Sequence, residues 1–520
     1  MDNYVLGFDG SSNITFRNLT FRSSTLEAGR LIDFSGKNRE ITLEGNNFQG
    51  VGTSSSDTKY ALIYSKDAEI DNLEIRNNYL YDGSYGLLFS DSVSNIRLFN
   101  NECKRQSYTS FRLQQVAGLE IINNRIDNRP ALNASWSYAI WIDTCWQTLK
   151  ITENRILLAG LNNGLGAKGG IFLRGFIGST ERGLVANNFI RMWIQPGVVA
   201  GASGIQVLPT VFEGCDFYNN TIWITGGPTQ VCYPLYVATS TASSEMHIKN
   251  NILINETDGL AMFSYNAQST SQSDYNDLFS NGSNLVAWNA QYYPDLASYQ
   301  SATGQDLHSI SANPLFVADD DLHIKSGSPV DGKGTPLAEV PRDIDNQLRS
   351  LTVPDIGADE YTAQRIIIKR KNKLNKILLP LTITRDSLHI DPTDDPMISG
   401  YVLSDVNVFI DTLVHTNLAD LEISLTHKGV IDTLAKFLPD SASGFIGTIL
   451  DDSGLLALNE GVSPYTGSYR PHSPLSVFNG VDPEGEWVLE IYDRSSGNFG
   501  ILDAWGIELV FEQTTGVPDE

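Results

Sequence analysis

The sequence predicts an all-β chain in two parts, a solenoid of stacked coils followed by a β-sandwich. Three observations support this prediction. A strand-like phrase that ends in Asn recurs through the first 251 residues. Its copies are not separated by helical periodicity, which argues against leucine-rich and other helical solenoids. From about residue 386 the repeat is absent, and short strand-like runs alternate with Gly and Asp turns instead.

The repeated phrase has the order apolar, polar, apolar, polar, Asn. Its clearest copies are Ile14–Leu19, Ile41–Phe48, Leu73–Tyr79, Ile96–Asn101, Leu119–Asn124, Leu149–Asn154, Leu184–Asn188, Phe217–Asn220 and Met246–Asn251. The final Asn falls at positions 18, 47, 78, 101, 124, 154, 188, 220 and 251, in steps of 23 to 34 residues. Strict alternation indicates a strand with one buried face, and Asn tolerates the left-handed conformation that a corner requires. Stacked Asn side chains can also hydrogen-bond from coil to coil, so the repeat predicts a parallel β-helix with an Asn stack at one corner.

Residues 1–282 resemble the right-handed β-helix repeats of pectate-lyase-like proteins, which implies a right-handed coil. Residues 283–362 resemble the end module of surface β-helix proteins of Bacteroidetes-type bacteria. The phrases that carry this resemblance are Asp274–Asn276, Asn313–Val317, Asp321–Ile324, Gly327–Asp331, Arg342–Asp345 and Asp355–Glu360. Because the open end of a solenoid exposes strand edges, we expect this module to cover that end.

The segment 363–385 is basic within a chain of net charge −25. Its residues 365–376 include six cationic residues with no acidic residue among them: Arg365, Lys369, Arg370, Lys371, Lys373 and Lys376. We interpret the segment as a linker that lies against acidic surface, although Ile366–Ile368 could pair as an edge strand.

The next part of the chain, residues 386–514, has strand-like phrases in a characteristic order, and residues 515–520 are interpreted as a tail. The phrases include Asp405–Val408, Asp420–Leu425, Tyr465–Pro471, Leu475–Gly480, Gly485–Leu489 and Gly500–Ile507. They resemble the P domain that follows the catalytic domain in subtilisin-like proprotein convertases and in bacterial secreted peptidases. The resemblance implies a jelly-roll β-sandwich, with Trp487 and Trp505 as core candidates. The chain departs from the pattern at Thr426–Gly429, where a Ser-Pro-Gly type turn is common, so the shape of that loop stays open.

Composition limits the class of partner. With 36 basic and 61 acidic residues, the chain is a poor match for nucleic acid or anionic membranes. No apolar stretch approaches the roughly 18 residues that a membrane span needs. The start, Met1–Tyr4, is not a signal peptide, so we interpret the chain as a fragment or processed form of an extracellular or cell-surface protein, expected to be monomeric. The four cysteines suit buried free thiols better than a bridge, which would join Cys215 and Cys232.

One strand per coil can be aligned so that its middle residue faces outward. The outward column is Ile63, Leu88, Arg112, Trp141, Phe172, Gln206 and Tyr236, and two residues further along lie Gln114, Asp143 and Arg174. Aromatic faces stack on sugar rings, and Arg side chains bind carboxylate or sulfate groups. We therefore predict a site for an anionic or neutral glycan formed by Arg112, Trp141, Asp143, Phe172, Arg174, Gln206 and Tyr236. The alternative is that neighbouring loops cover the aromatic rings.

Evidence for catalysis is weaker. A hydrolase needs paired carboxylates, and Asp143 is the one carboxylate placed on this face. A lyase needs a base, commonly with Ca²⁺, and Arg174 or Arg112 could serve, but no acidic cluster stands beside them. Calcium could instead bind at acidic residues outside the coils, although a solvated turn is the more common outcome there: Asp319, Asp321, Asp451 and Asp452. The first 246 residues contain no histidine, so a Ser-His-Asp triad cannot be built within them.

Three functions remain open at this stage. The first is a secreted or cell-surface glycan-binding or adhesive protein. The second is a polysaccharide lyase or glycoside hydrolase that acts on an extended polymer. The third, suggested by the resemblance to P domains alone, is a chain associated with a secreted subtilisin-like peptidase.

Overall fold

The computed structural model describes residues 4–513, except 24–28, 130–136, 162–167, 179–180, 196–200, 209–211, 228–230, 239–244, 267–269, 362–364, 392–400 and 440–442. The chain divides into two compact units, Met1–Tyr361 and Thr362–Glu520. No helix among the described residues is long and apolar enough to cross a membrane.

The first unit is built almost entirely from short strands. Strands β1 to β15 are Tyr4–Asp9, Ser12–Arg17, Thr20–Arg22, Arg30–Glu44, Asn47–Gln49, Ala61–Arg76, Tyr79–Tyr81, Tyr85–Phe99, Glu102–Lys104, Thr109–Ile122, Arg125–Asn128, Ser137–Ile142, Cys145–Thr152, Arg155–Leu161 and Lys168–Leu173. Strands β16 to β30 are Phe176–Gly178, Gly183–Ala186, Phe189–Ile194, Ala202–Val207, Phe212–Glu213, Cys215–Tyr218, Thr221–Gly226, Cys232–Val237, Met246–Lys249, Ile252–Asn255, Met262–Ser264, Thr270–Asp274, Asp277–Ser280, Val286–Trp288 and Gln291–Tyr293. They are followed by helix α1 (Leu296–Thr303) and by strands β31 (Phe316–Ala318) and β32 (Asp321–Ile324).

These strands form the predicted parallel β-helix. Among the described residues, ten of these strands make one sheet in the order β28-β25-β22-β18-β14-β11-β9-β7-β5-β3, and twenty make a second sheet. Apart from the antiparallel hairpin of β29 and β30, the strands of these two sheets pair in parallel with the equivalent strand one coil away, as Leu98 pairs with Ile75 and Ile121. Inward residues therefore stack into columns, and these three side chains are at most 1% exposed.

From the second coil onward, the described coils turn one corner at a buried Asn whose amide bonds to the next coil. Asn78 Oδ1 accepts a hydrogen bond from the backbone N–H of Asn46 at 2.8 Å, and Asn101 Oδ1 accepts from the N–H of Asn78 at 3.1 Å. The ladder continues through Asn124, Asn154, Asn188, Asn220, Asn251 and Asn276. It ends where Asn276 Nδ2 donates to Asp306 Oδ1 at 2.8 Å. The Asn stack predicted from the sequence is thus confirmed from Asn78 to Asn251.

Two parts of the Asn prediction are wrong. The ladder residue of the second coil is Asn46 rather than Asn47, and Asn18 occupies the position before the ladder, with φ 56°. The left-handed conformation belongs to that preceding residue, as at Asn77 and Asn100, each with φ 56°. The corner needs one left-handed residue and one inward amide, and an Asn-Asn pair supplies both without showing which is which.

The closing segment of the first unit does more than cover the solenoid end. The hairpin of β29 and β30 and helix α1 cover that end, where Tyr299 is fully buried against the solenoid core. Residues 313–361 instead run back along the outside of the later coils, where Val330 and Ile356 pack on Ile252 and Ile254. Outward residues in these coils are apolar, so this surface needs a cover.

The second unit is a two-sheet β-sandwich. Its strands β33 to β42 are Arg365–Leu378, Ile383–Ile390, Tyr401–His415, Leu421–His427, Val430–Ala435, Ser443–Leu450, Leu456–Ala457, Tyr465–Arg470, Gly485–Asp493 and Gly500–Gln513. One sheet has the order β33-β42-β35-β38-β40-β39 and the other β34-β41-β36-β37. Trp487 and Trp505 are fully buried between the sheets. The predicted all-β fold, a parallel β-helix followed by a sandwich, is confirmed.

The predicted linker is wrong in its basic part. Residues 365–378 form the edge strand β33, which pairs antiparallel with β42 from Arg365 and Glu512 to Leu378 and Gly500. Ile366, Ile368, Leu374 and Leu378 pack on the sandwich core, whereas Ile367 and Ile377 are exposed. The exposed Lys369 and Lys371 form ion pairs with Glu508 and Asp411. The density of Lys hid the alternation, although the possibility of an edge strand at Ile366–Ile368 is confirmed.

The four cysteines are buried and free. Burial raises the pKa of each of the thiols of Cys103, Cys145 and Cys215. The interpretation as buried free thiols is confirmed, and Cys215 and Cys232 are not bridged.

Asp277 lies directly after the last ladder Asn, and its burial predicts that the free energy of unfolding depends on pH. Its side chain is fully buried, Oδ1 accepts from Ala312 N at 2.9 Å, and Oδ2 has no partner in the described part of the chain. Burial raises the pKa of Asp277 to about 8, whereas an unfolded Asp titrates near about 3.9. The folded state therefore retains a proton that the unfolded state releases, so this stability is complete at low pH and is lost as pH rises toward 8.

We expect Asp277→Asn to remove this loss. Between pH 5 and pH 7 the stability of the variant relative to the wild type should rise by about 1.4 kcal/mol per pH unit. Urea unfolding at several pH values measures this difference. A stability difference that does not change with pH would contradict the assignment of a buried protonated carboxyl.

We expect residues 362–513 to fold alone with a cooperative thermal transition, because the sandwich has its own core. A fragment that begins at residue 386 lacks β33 and exposes the edge of β42, so its midpoint should be lower and it should aggregate more readily. Circular dichroism melting curves of the two fragments give the comparison. Equal midpoints would show that β33 is dispensable.

Candidate ligand-binding site

The strand register shows which side chains share the predicted outward face. The column runs coil by coil through Tyr64, Leu88, Arg112, Trp141, Phe172, Gln206, Tyr236 and Phe263. Ile63 does not belong to it, because Ile63 is fully buried in the solenoid core and Tyr64 points outward. Leu62–Tyr64 is an uninterrupted apolar run, so alternation could not fix which residue faces out.

Four of the predicted residues form one charged cluster. The Arg112 guanidinium lies 4.1 Å from the centroid of the Trp141 ring, and Trp141 Nε1 donates to Asp143 Oδ1 at 3.0 Å. Arg112 Nη2 lies 3.5 Å from Asp143 Oδ2, and Arg174 Nη1 lies 3.3 Å from Asp143 Oδ1. The carboxylate of Asp143 is thus compensated by two cations and one N–H donor.

The rings of Trp141 and Phe172 are covered. Trp141 is 7% exposed and Phe172 is 2% exposed, and both pack with Tyr138 and Tyr108. The Tyr138 hydroxyl donates to Gln206, which ties the cover to the next coil but one. These two rings point out of the solenoid core, but neighbouring side chains cover them and leave no free face for a ligand. For Trp141 and Phe172 the structure therefore agrees with the alternative that neighbouring residues cover the aromatic rings.

The accessible aromatic surface lies further along the same column. Tyr236 and Phe263 stack with ring centroids 4.9 Å apart and planes at 10°, and Tyr233 lies 5.2 Å from Tyr236. We call these three half-exposed residues the aromatic ledge. Burial of one side of the ledge raises the pKa of Tyr233 to about 12, so its hydroxyl stays protonated at neutral pH. Phe263 was missed from the sequence, although Met262-Phe263-Ser264 continues the pattern of Leu235-Tyr236-Val237.

The ledge and Arg174 bound one continuous surface. The Arg174 side chain is 48% exposed, and Gln206 lies between it and Tyr236 in the order of the coils. From the coil of Phe172 to that of Phe263 are three coil steps, which span about 14 Å at the usual strand spacing. This is enough length for a few sugar units.

Chemistry at this face is limited by what its charged groups already contact. Asp143 is the one carboxylate that the described residues place in the cluster, and it is held by Trp141 and the two arginines. The phenols of Tyr85 and Tyr108 are buried, which raises their pKa, in Tyr85 to about 12. A carboxylate pair is therefore missing from this described cluster, and catalysis by Arg112, Arg174 or Asp143 stays a prediction.

The candidate calcium ligands are engaged with the protein. Asp451 and Asp452 accept backbone N–H bonds, Asp452 from Leu475 N at 2.8 Å. Asp319 accepts from the buried Arg191 through its backbone carbonyl at 2.6 Å. Calcium binding at these positions stays a prediction.

Asp321 belongs to an ion cluster. His323 lies between Asp321 and Asp345, with Nε2 2.6 Å from Asp345 Oδ2. Burial opposes protonation of His323, but the two carboxylates outweigh it and raise its pKa to about 10. His323, Asp345 and Asp359 form the one group in the described part of the chain whose ligand atoms could hold a metal ion. The histidine is itself the cation that this cluster requires.

Two cavities open on the same twenty-stranded sheet, beside the face that carries the predicted site. One, of about 500 Å³, is lined by Thr42, Glu74, Arg97 and Glu120 among others. The second, of about 600 Å³, lies between the coils and residues 339–342. Neither cavity was predicted from the sequence, because the lining residues follow the pattern of ordinary solvent-facing residues of a strand.

The comparisons with known proteins support the fold. A family model described as the right-handed beta helix region matches residues 4–190. No curated protein is a significant match to this chain. The solved serine protease of Aeromonas sobria in complex with its chaperone is 14% identical over 33% of each chain, with a TM-score of 0.20. The protease alone is 13% identical over 32% of each chain, with a TM-score of 0.19, so this chain spans about a third of those proteins.

The alignment with a third solved structure extends over most of the chain. The tailspike gp49 from Acinetobacter baumannii bacteriophage Fri1, a capsular polysaccharide depolymerase, is 9% identical over 94% of this chain and 81% of its own. The TM-score of this match is 0.15.

We expect the two aromatic positions to respond differently to truncation. Trp141→Ala should lower the free energy of unfolding by about 3–5 kcal/mol, because a buried ring and its hydrogen bond to Asp143 are lost. Tyr236→Ala, at a half-exposed ring, should cost less than half as much. Urea unfolding of the two variants tests this order, and equal losses would show that Trp141 is not covered in solution.

Proposed function

We propose that this chain is a secreted or cell-surface glycan-binding protein that binds its ligand on the outward face between Arg174 and Phe263. The observation that carries the proposal is the aromatic ledge, a stacked and half-exposed ring pair with a third ring beside it. Rings fixed by a rigid sheet stack on the apolar faces of sugars and lose little entropy on binding.

The geometry of the solenoid suits a polymer rather than a single sugar. Tyr236 and Phe263 occupy adjacent coils, about 4.8 Å apart along the axis. A sugar unit has a similar length, so successive units can meet successive coils. On the neighbouring coil the Gln206 NH₂ group can donate to a sugar hydroxyl, while Gln206 Oε1 accepts from the Tyr138 hydroxyl.

Arg174 admits acidic as well as neutral sugars. Its guanidinium is half exposed, and a bound carboxylate or sulfate could share it with Asp143. The net charge of −25 disfavours a polyanion elsewhere on the surface, so an acidic polymer would depend on this arginine.

We propose an accessory role for the second unit. Its two-sheet sandwich and the phrases from Asp405 to Ile507 support a likeness to P domains, which lack a nucleophile of their own. The lyase or hydrolase and the peptidase-associated chain remain alternatives that the described side chains do not favour.

A glycan array followed by calorimetry tests the proposal. For the best ligand, Tyr236→Ala and Phe263→Ala should each lose about 1–3 kcal/mol of binding free energy, which is roughly a 5- to 150-fold loss of affinity. Tyr79→Ala is a matched control, because Tyr79 is 47% exposed and stacks on Tyr81 in the other sheet. The proposal is wrong if the wild type binds no glycan, or if both ledge variants bind as tightly as the control.

A further inference from the structure

The left-handed corner position carries a second column of Asn residues, which we call the outer Asn column. Its members are Asn77, Asn100, Asn123, Asn187, Asn219 and Asn250, each directly before a ladder Asn. They lie beside the ladder but point away from the core.

In the later coils this column holds residues 335–342 of the same chain through their backbone. This segment turns at Leu337–Val340, where Val340 N donates to Leu337 O at 3.1 Å. Asn250 Nδ2 donates to Thr335 O at 2.8 Å, and Asn250 Oδ1 accepts from Thr335 N at 3.0 Å. Asn187 Nδ2 donates to Arg342 O at 2.7 Å. Because these bonds use peptide groups, they do not depend on the side chains of the bound segment.

Apolar contacts accompany the backbone bonds. Val340 and Leu337 of the bound segment pack on Ala186 and Tyr218, which are outward residues of adjacent coils. The later coils thus combine amides at the corner with apolar side chains on the strand, and the combination binds a polypeptide segment through its backbone.

The earlier coils repeat this combination on an open surface. Phe99 and Ile122 occupy the same register column as Ala186 and Tyr218, and both are half-buried. Asn77, Asn100 and Asn123 beside them are exposed. Asn123 Nδ2 donates to Asn100 Oδ1 at 3.0 Å, and Asn123 Oδ1 accepts from Arg155 Nη1 at 3.3 Å. Within the described chain no hydrogen bond is made by the Asn77 amide or by the Asn100 NH₂ group.

A left-handed backbone does not by itself require these amides. Gly45 takes the same corner position with φ 64°, so glycine satisfies the conformation without a side chain. The nearby charges are also paired, Arg97 with Glu120 at 2.9 Å and Arg76 with Glu44 at 3.1 Å. The open surface therefore offers amides and apolar contacts, and these two ion pairs do not call for a charged ligand.

We propose that Asn77, Asn100 and Asn123, together with Phe99 and Ile122, form a docking site for a turn-containing segment of a partner polypeptide. The partner is held through its backbone, with small apolar side chains on Phe99 and Ile122, as this chain holds its own residues 335–342. The site is separate from the aromatic ledge and continues an interface that the protein already makes.

Fluorescence anisotropy on the full chain tests the proposal with a labelled synthetic peptide of residues 333–344 as the probe. The triple variant Asn77→Gly, Asn100→Gly, Asn123→Gly retains the corner conformation and deletes the amides, and we expect it to bind at least tenfold more weakly. Phe99→Ala should also weaken binding.

The control variant is Asn72→Gly with Asn95→Gly. It makes the same change at two left-handed positions, with φ 58° and 55°, at the corner opposite the outer Asn column. We expect the control to bind within twofold of the wild type. The proposal is overturned if the peptide does not bind the wild type, or if the triple variant binds as the control does. A glycan that needs the three amides while the peptide does not bind would assign the surface to carbohydrate instead.

Discussion

The buried amide ladder is the interaction on which the rest of the first unit depends. Each ladder Asn accepts from the coil before it and donates to a strand carbonyl, as Asn101 does with Asn78 N and Ile75 O. The amides therefore leave no unpaired peptide group at the corner, where a sheet has no partner strand to offer. Successive ladder residues are separated by as few as 23 and as many as 34 positions, yet each meets the next at about the same distance. Coil length can thus vary elsewhere without a loss of register.

Register at one corner fixes the position of every outward side chain. Once the ladder aligns the coils, residues at equal offsets from it form axial columns, which is why Arg112, Trp141 and Phe172 are neighbours despite their distance in sequence. The same constraint produces the aromatic ledge and the outer Asn column. Where outward residues of the ten-stranded sheet are apolar, as at Phe189 and Ile252, residues 313–361 cover them, whereas the aromatic ledge on the other sheet stays partly accessible. The same repeat thus places the side chains of the proposed binding site and the apolar side chains on which residues 313–361 pack.

The fold could be predicted from the sequence because its main determinants are local and repeated. The alternation before each Asn gave the strand and its buried face, and the Asn gave the corner. The errors arose where the local pattern does not show which residue faces inward or which one forms the corner. Leu62–Tyr64 is apolar throughout, and Gly45-Asn46-Asn47 offers three residues suited to a turn. The burial of Trp141 could not be predicted, because Tyr108 comes from the preceding coil and Tyr138 from the start of the same strand. The strand β33 was hidden because its outward lysines find acidic partners only in the folded sheet.

The most direct test of the ladder compares two neighbouring asparagines by urea unfolding of the solenoid in the full chain. Asn101→Ala leaves the N–H of Asn78 and the carbonyl of Ile75 buried without partners, at about 1–3 kcal/mol each. The account predicts that this variant loses at least about 2 kcal/mol of unfolding free energy. Asn100→Gly, one residue away, retains the left-handed corner and should lose less than about 1 kcal/mol. If Asn101→Ala is no less stable than Asn100→Gly, the amide ladder does not hold the coils in register.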